Sequence, residues 1–578
     1  MDNDIDPFQL EIIRNSFDTI ADDMALTLMR TAHSGIVRDS LDFSTSICDA
    51  AGLPLAQGVC TPMQLGSFYD AMRALVTGHA GRIGPGDAFI FNDPYAAAGQ
   101  HLPDIYIAVP VFHAGALRAW AVNIAHHSDV GGIVAGSNAI GVTEIFQEGL
   151  RLPIVKFIEG GRRNEALWEV IALNVRTPDK VLGDLQAQLA SCTSGERELV
   201  ELFERYGVDA VLRYGEHLHD YAERLTRAEL AAMPEGTYRF VDHLDGLGAD
   251  PAPIRLEVAV TIAGGAVTVD WTGSSPQVRG GINPSFPFTK ACAYTALRSV
   301  MAADIPNCHG FTRPITVLAP QGSIMNPDFP APCGARGITG YRMIDCLFGA
   351  LAEALPDRVT ADGSGGSTLP TIAGYRDGRA FVFCETFMGT WGAARDHDGQ
   401  EGVPHMGANQ SNVPVEMIES DYPIRIERYG LVPDSGGAGR TRGGLGLIRE
   451  YRILAEEAIL SVRSDKRRFP PHGLFGGRDG SPSWNIVVSE AGERVVPALM
   501  TEVETLHAGD IYRHVMAGGG GFGDPFERDP GQVLRDVVEE RVGLAQARDA
   551  YGVAIIEGDG GLAVDAAATA ALRARRAA

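Results

Sequence analysis

Three histidines and two aspartates crowd the ends of two neighbouring segments. "GQHLPDIYIAVPVF", Gly99–Phe112, sets His101 and Asp104 around a Leu-Pro pair, and "NIAHHSDVGG", Asn123–Gly132, carries His126, His127 and Asp129 past an apolar run. Imidazole and carboxylate are the ligands that hold a divalent metal while leaving a coordination position open for water. Pro103 disfavours the α-region for Leu102, so His101–Asp104 reads as an extended turn able to aim both side chains at one point. In "WAVNIAHH" a period of two puts Val122, Ile124 and His126 on one face and Asn123, Ala125 and His127 on the other. Adjacent histidines therefore diverge, and only one of them is expected as a direct ligand; spacing leaves open which. Asp42, in "SLDFSTS", is a further carboxylate at the start of an apolar strand. Each also has a plainer reading, as a hydrogen-bonded strand end or a turn aspartate, and no H-E-x-x-H element decides between them.

Other chemistries have less support. "GGGGFGD" (Gly518–Asp524) and "DSGGAGRTRGGLG" (Asp434–Gly446) are glycine-rich, but Gly-Lys occurs nowhere in the chain, so neither is a P-loop. Neither sits in a βαβ unit, and structural turns are the reading for both, although Arg440 and Arg442 could hold an anion. No G-x-S-x-G register runs through "DGSGGST" (Asp362–Thr368), which leaves serine-hydrolase chemistry without a nucleophile elbow.

The elements that must position these residues are legible in the periodicity. Asp6-Pro7 reads as an N-cap and first helical residue, with Phe8, Ile12, Ile13, Phe17, Ile20, Met24 and Leu28 at helical spacing to about Thr31. "LDFSTSICDAAGLPLAQ" reads as strand, turn and strand; "DAFIFND", "DIYIAVPVF" and "LRAWAVNIA" are further strands. Helices follow through "DKVLGDLQAQLASC" to "ERLTRAELAAM", and strands resume at "PEGTYRF", Pro234–Phe240. The expected class is α+β: mixed, multi-domain and strand-rich. The expected divisions are an N-terminal metal-bearing domain over 1–233, a central and C-terminal α+β region over 234–525, and a peripheral helical tail over 526–578.

The 578 residues carry a formal net charge of −24, which argues against binding a phosphate backbone, so no nucleic-acid partner is expected. The eight scattered cysteines form no C-x-x-C and read as buried thiols of a reducing compartment. No apolar run is long enough to span a membrane, and "MDNDIDPFQL" is unlike a signal peptide, so a cytoplasmic location is expected.

Several long motifs then appear in series: "FNDPY…GQHLPDIYIAVPVF", "HHSDVGG", "IFQEGLRLP", "NVRTPDKVLGDLQAQ", "GSSPQVRGGIN", "YGLVPDSGGAGRTRGGLG" and "GGGGFGDPFERDP". Over nearly its whole length the chain resembles the hydantoinase B/oxoprolinase family, the B subunits of ATP-dependent hydantoinases. That family also takes in parts of 5-oxoprolinase, caprolactamase, and acetone and acetophenone carboxylases. The resemblance implies a metal site of Asp42, His101, Asp104 and His126, holding zinc, manganese, iron or cobalt. His127, Asp129 and Glu148 are the expected catalytic groups around it, with Asp93 and Glu144 as further candidates for a base. It also implies an A-type partner subunit, in a complex such as (AB)2, that uses ATP and magnesium to phosphorylate the carbonyl of a cyclic amide. A metal-bound water on this chain would then open the ring. The alternatives are a subunit of an ATP-dependent ketone carboxylase, or a scaffold without catalysis. One departure stands out: where many members read H-I-P-V-H-L-G this chain has "CTPMQLG", with Cys60 and Gln64 at the histidine positions.

Overall fold

The computed structural model describes residues 5–58, 61–364, 368–558 and 561–577. Asp6 accepts a hydrogen bond from the Phe8 amide and Pro7 takes the first helical position, which starts α1 (Pro7–Thr31). Its apolar stripe, Ile13, Phe17, Ile20, Met24 and Leu28, is buried. It packs on a seven-stranded sheet of order β2-β1-β5-β4-β3-β6-β7. The strands are β1 (Phe43–Asp49), β2 (Pro54–Gln57), β3 (Ala88–Phe91), β4 (Asp104–His113), β5 (Ala116–His126), β6 (Val155–Glu159) and β7 (Arg162–Arg163). Every pairing in this sheet is antiparallel.

Alternation along β4 and β5 sends side chains to two different cores. Tyr106, Val122 and Ile124 pack with Phe68, Met72 and Leu75 of α2 (Phe68–Gly78). Ile105, Ile107 and Val109 join the larger core with Leu185 and Cys192 of α3 (Pro178–Tyr206) and Val211 and Leu218 of α4 (Val208–Ala232). With both faces covered, polar residues at the strand ends are removed from solvent.

Beyond residue 234, "IRLEVAVTIAGGAVTVDW" alternates with period two on either side of Ala263-Gly264-Gly265, a hairpin pattern that the structure bears out: β8 (Gly236–Leu244), β9 (Ile254–Ala263) and β10 (Ala266–Asp270) form a sheet that β11 (Ile315–Leu318) closes in parallel. Helices α5 (Phe286–Ser299) and α6 (Gly337–Leu351) bring this layer against the first sheet. The largest apolar core runs from Ile13 to Leu499 and draws residues from both sides of position 234. Two further sheets follow, a four-stranded one from Leu369 to His507 and a five-stranded one from Ile424 to Val515. They share the core around Phe383, Tyr451, Leu460 and Tyr512. The arrangement is a mixed, strand-rich fold of several sheets, as the periodicity suggests.

The tail holds α7 (Pro530–Val538), α8 (Leu544–Tyr551) and α9 (Ala566–Ala577), packed as a small separate core around Val533, Val553 and Ala438. It is not purely helical: Ile555–Gly558 pairs antiparallel with Gly561–Val564 between α8 and α9.

The glycine-rich loops pack on one another through their backbones. Gly437 donates to the Gly519 carbonyl at 2.8 Å, and a Cβ on Gly443 would stand 1.9 Å from that oxygen. The glycines are there because no side chain fits. Arg442 is used internally, donating to Gly443 O at 2.6 Å and pairing with Glu401 at 3.1 Å. The seven described cysteines are buried free thiols; Cys60 and part of the 362–368 stretch lie outside the described residues.

Candidate metal centre

Register brings three of the expected residues onto one line. Asp104 on β4 is the cross-strand partner of His126 on β5. On the other side Phe43 pairs with Ala125, and the His126 amide donates to the Asp42 carbonyl at 3.0 Å. Directly opposed residues share a face, so Asp42, His126 and Asp104 form a row across three neighbouring strands. His101 enters from the turn before β4, which the Asp104 amide closes by donating to His101 O at 3.1 Å. The turn is pinned from outside: Asn92 Nδ2 donates to Leu102 O at 2.7 Å and Gln100 Nε2 to Met63 O at 2.8 Å.

The ligand atoms of His101, Asp104 and His126 all lie within 4.8 Å of one another, and all three side chains are buried. His101 Nδ1 meets the Gly334 carbonyl at 2.7 Å. A carbonyl only accepts, so Nδ1 carries the proton and the neutral ring turns a lone pair on Nε2 inward. That lone pair faces Asp104 Oδ1 at 3.1 Å. Neither atom has a hydrogen-bond partner, nor does either ring nitrogen of His126. Three buried ligand atoms, one each from His101, Asp104 and His126, converge with no hydrogen bond between them, an arrangement that is costly by itself and satisfied by a cation. A two-histidine, one-carboxylate donor set suits zinc, manganese, iron or cobalt. The residues present fit the group that the sequence resemblance implies.

Electrostatics point the same way. Burial, then the Arg336 charge, pushes His101 down to about 4, and burial with the neighbouring His101 holds His126 well below its ordinary value. Both rings are thus neutral ligands at neutral pH. Burial alone would raise Asp104, but His101 and Arg336 outweigh it and keep the carboxyl below the usual range. Arg336 Nη2 donates to Asp104 Oδ2 and, at 2.9 Å, to Gln100 Oε1, leaving Oδ1 to the centre. Asp42 stands outside the tight group but borders the same cavity of about 30 Å3. Its Oδ1 accepts from Gln64 Nε2 at 2.8 Å. Burial and the nearby Asp104 charge push it up to about 7.

The other expected residues are placed elsewhere. His127 takes the opposite face of β5, as alternation requires, with Nε2 2.9 Å from Gln188 Oε1 on α3. Asp129 is saturated: Oδ1 accepts from the Gly131 and Arg176 amides, and Oδ2 from the Gly136 amide and Arg176 Nη1. It shapes its own loop and does not border the cavity. Glu148 is buried one peptide away. It accepts from the Gly334 amide, whose carbonyl holds His101, and burial pushes it up to about 8. Asp93 caps a turn and pairs with Arg151 at 2.6 Å, and Glu144 forms a capping box with Gln147. The structure brings His101, Asp104 and His126 together, sets Asp42 beside them on the same cavity, and leaves His127, Asp129 and Glu148 around them.

Sequence reasoning missed Arg336, Arg463, Gln100, Gln410 and Tyr341, which line the cavity with the ligand groups. Arg336 did carry a signal: it stands in "PAPCGARGITGY" with no acidic residue near enough along the chain to pair with it.

Fold and site together define a mixed α/β protein built around a buried histidine–carboxylate centre. The hydantoinase B/oxoprolinase description matches residues 6–525, and the chain belongs to that family. It is 32% identical to the caprolactamase subunit beta of Pseudomonas jessenii over 591 residues, covering 99% of this chain and 100% of that one. The crystal structure of the ATP-dependent caprolactamase from Pseudomonas jessenii superimposes with a TM-score of 0.91 at 31% identity, covering 99% of this chain and 100% of its own. A nucleotide-free acetone carboxylase superimposes with a TM-score of 0.93 at 20% identity, covering 99% of this chain and 83% of its own, which is a likeness of fold alone.

Proposed function

We propose that this chain is the metal-dependent hydrolytic subunit of an ATP-dependent cyclic-amide hydrolase. The observation that carries the reading is the convergence of one ligand atom each from His101, Asp104 and His126, all buried, with His101 Nε2 and Asp104 Oδ1 lacking hydrogen-bond partners. His101, Asp104 and His126 would hold the ion, with Asp42 as fourth ligand from the adjacent strand. A divalent ion held there would supply a Lewis acid able to lower the pKa of a water to about 7. The chain's own residues prepare that site. Gly334 selects the His101 tautomer, Arg336 orients Asp104, and the cores on both sheet faces keep bulk water away.

An amide resists attack because nitrogen donates into its carbonyl, so the ring needs activation before this centre can open it. The sequence carries no P-loop motif, which supports leaving ATP and magnesium to an A-type partner that would phosphorylate the carbonyl oxygen, in a complex such as (AB)2. The end-to-end likeness to a caprolactamase beta subunit supports hydrolysis, whereas the acetone carboxylase likeness is of fold only. The test is reconstitution with a partner subunit. Cyclic-amide turnover is expected to need both chains and to vanish in His126→Ala. Tight ATP binding by the isolated chain, read by calorimetry, would contradict this division of labour.

A further inference from the structure

Two guanidinium groups border the centre, and both have donors to spare. Arg336, whose plane lies 4.6 Å from the Phe288 ring centroid, commits Nη2 to Gln100 and Asp104, while its Nε has no hydrogen-bond partner. Arg463, the last residue of the strand Glu457–Arg463, lines the same cavity and is 6% exposed. Its Nε and Nη1 are buried, and neither has a partner. Gly337, which starts α6, makes the room: a Cβ there would stand 3.3 Å from Arg463 Nη1. Unpaired N–H groups of a buried cation are more costly than those of a neutral group, and both arginines line the cavity that Asp42, Asp104 and His126 also border.

The charges around the cavity say what would satisfy them. With Asp42 and Asp104 holding the ion as carboxylates, their charges offset Arg336 and Arg463, so a divalent ion would leave the loaded centre with two uncompensated positive charges. Such a site favours a dianion. A phosphoryl group carries a charge of about −1.5 to −2 at neutral pH and offers three strong acceptor oxygens, and paired guanidinium donors suit it. The cavity of about 30 Å3 admits about two water-sized atoms, enough for one edge of a tetrahedral group.

We propose that Arg463, together with Arg336, forms an oxyanion subsite that receives the phosphoryl oxygens of an O-phosphorylated substrate beside the metal ligands. The inference rests on the functional reading above, which already brings a phosphorylated ring to this centre, and adds the residues that would receive its phosphoryl group. The subsite explains why two arginines are buried at a centre whose metal ligands need only one of them.

The test uses the full chain and inorganic phosphate as the probe, with binding read by calorimetry and phosphorus NMR, with and without added zinc. Metal content is measured on the same samples. Wild type is expected to bind phosphate, and Arg463→Gln to bind it about 10- to 100-fold more weakly at unchanged metal content. Arg463→Lys, which keeps the charge and is the safer variant for folding, should fall between them, and the exposed control Arg494→Gln should match wild type. Phosphate binding that is absent in wild type, or unchanged in Arg463→Gln, overturns the subsite; so does binding of bicarbonate without phosphate. The two readings fail separately. Metal taken up without phosphate binding removes only the subsite, whereas no metal uptake removes the centre and leaves the phosphate result to decide the arginines.

Discussion

Asp104 and His126 face each other as direct cross-strand partners on β4 and β5, at the point where both strands end beneath the His101 turn. The pairing makes the centre a property of strand register. A slip of one residue would turn His127 inward and Ile105 into the ligand position. The two side chains meet because ten residues of β4 are zipped to β5 behind them.

Removing either ligand therefore tests the centre without disturbing the sheet. Asp104→Asn and His126→Ala are expected to lower turnover of the reconstituted complex by at least ~10^3-fold while leaving partner binding intact. Steady-state kinetics beside a pull-down of the partner subunit reads both.

Arg336 acts on the metal through Asp104. Arg336→Met leaves Asp104 Oδ2 without its donor, and the metal dissociation constant is expected to rise by about 10- to 100-fold. A competition titration with a chromogenic chelator measures it. Arg336→Lys should recover part of the loss.

His127 supplies the contrasting case. Its ring bonds Gln188 on the far face of the sheet. His127→Leu is expected to cost about 1–3 kcal/mol of stability through the acceptor it leaves unpaired, with metal content unchanged. Denaturant unfolding and elemental analysis separate the two effects.

Glu148 gives the protein a pH signature. Its folded value, about 8, lies above the ordinary 4.5. The folded state therefore holds a proton that the unfolded chain releases, and that contribution is complete below pH 4.5 and lost as pH rises towards 8. Glu148→Gln removes this dependence and keeps an acceptor for the Gly334 amide. Relative to wild type it should gain on the order of 3 kcal/mol between pH 5 and 8. Urea unfolding of the metal-free proteins across that range checks the sign. A difference that stays flat with pH would mean that Glu148 is ionised in the folded state.

Much of this arrangement was legible in the sequence because it rests on local rules. The Asp6-Pro7 helix start, the 254–270 hairpin and the divergence of His126 from His127 follow from capping, turn and period-two geometry, and all three are present. Asp129 and Glu148 show where local rules stop. Both are polar residues near the ligands in sequence, yet Asp129 is drawn to Arg176 and Glu148 to Gly334, partners 47 and 186 positions away. Arg463 is further still from the ligands along the chain. It reaches the cavity only because the strand Glu457–Arg463 pairs with the strand Leu369–Arg376, a contact no spacing announces. The hairpin between α8 and α9 was missed for a different reason: its two strands are four residues each and mostly exposed, so they carry almost no hydrophobic period.

The central claim is that buried His101, Asp104 and His126 converge on a metal ion. Elemental analysis of the purified protein, wild type beside His101→Ala, tests it most directly. About one equivalent of a transition metal per chain, lost in the variant, is the expected result. No metal in either protein after reconstitution with zinc, manganese, iron or cobalt would contradict it and return the three side chains to a structural role at the strand ends.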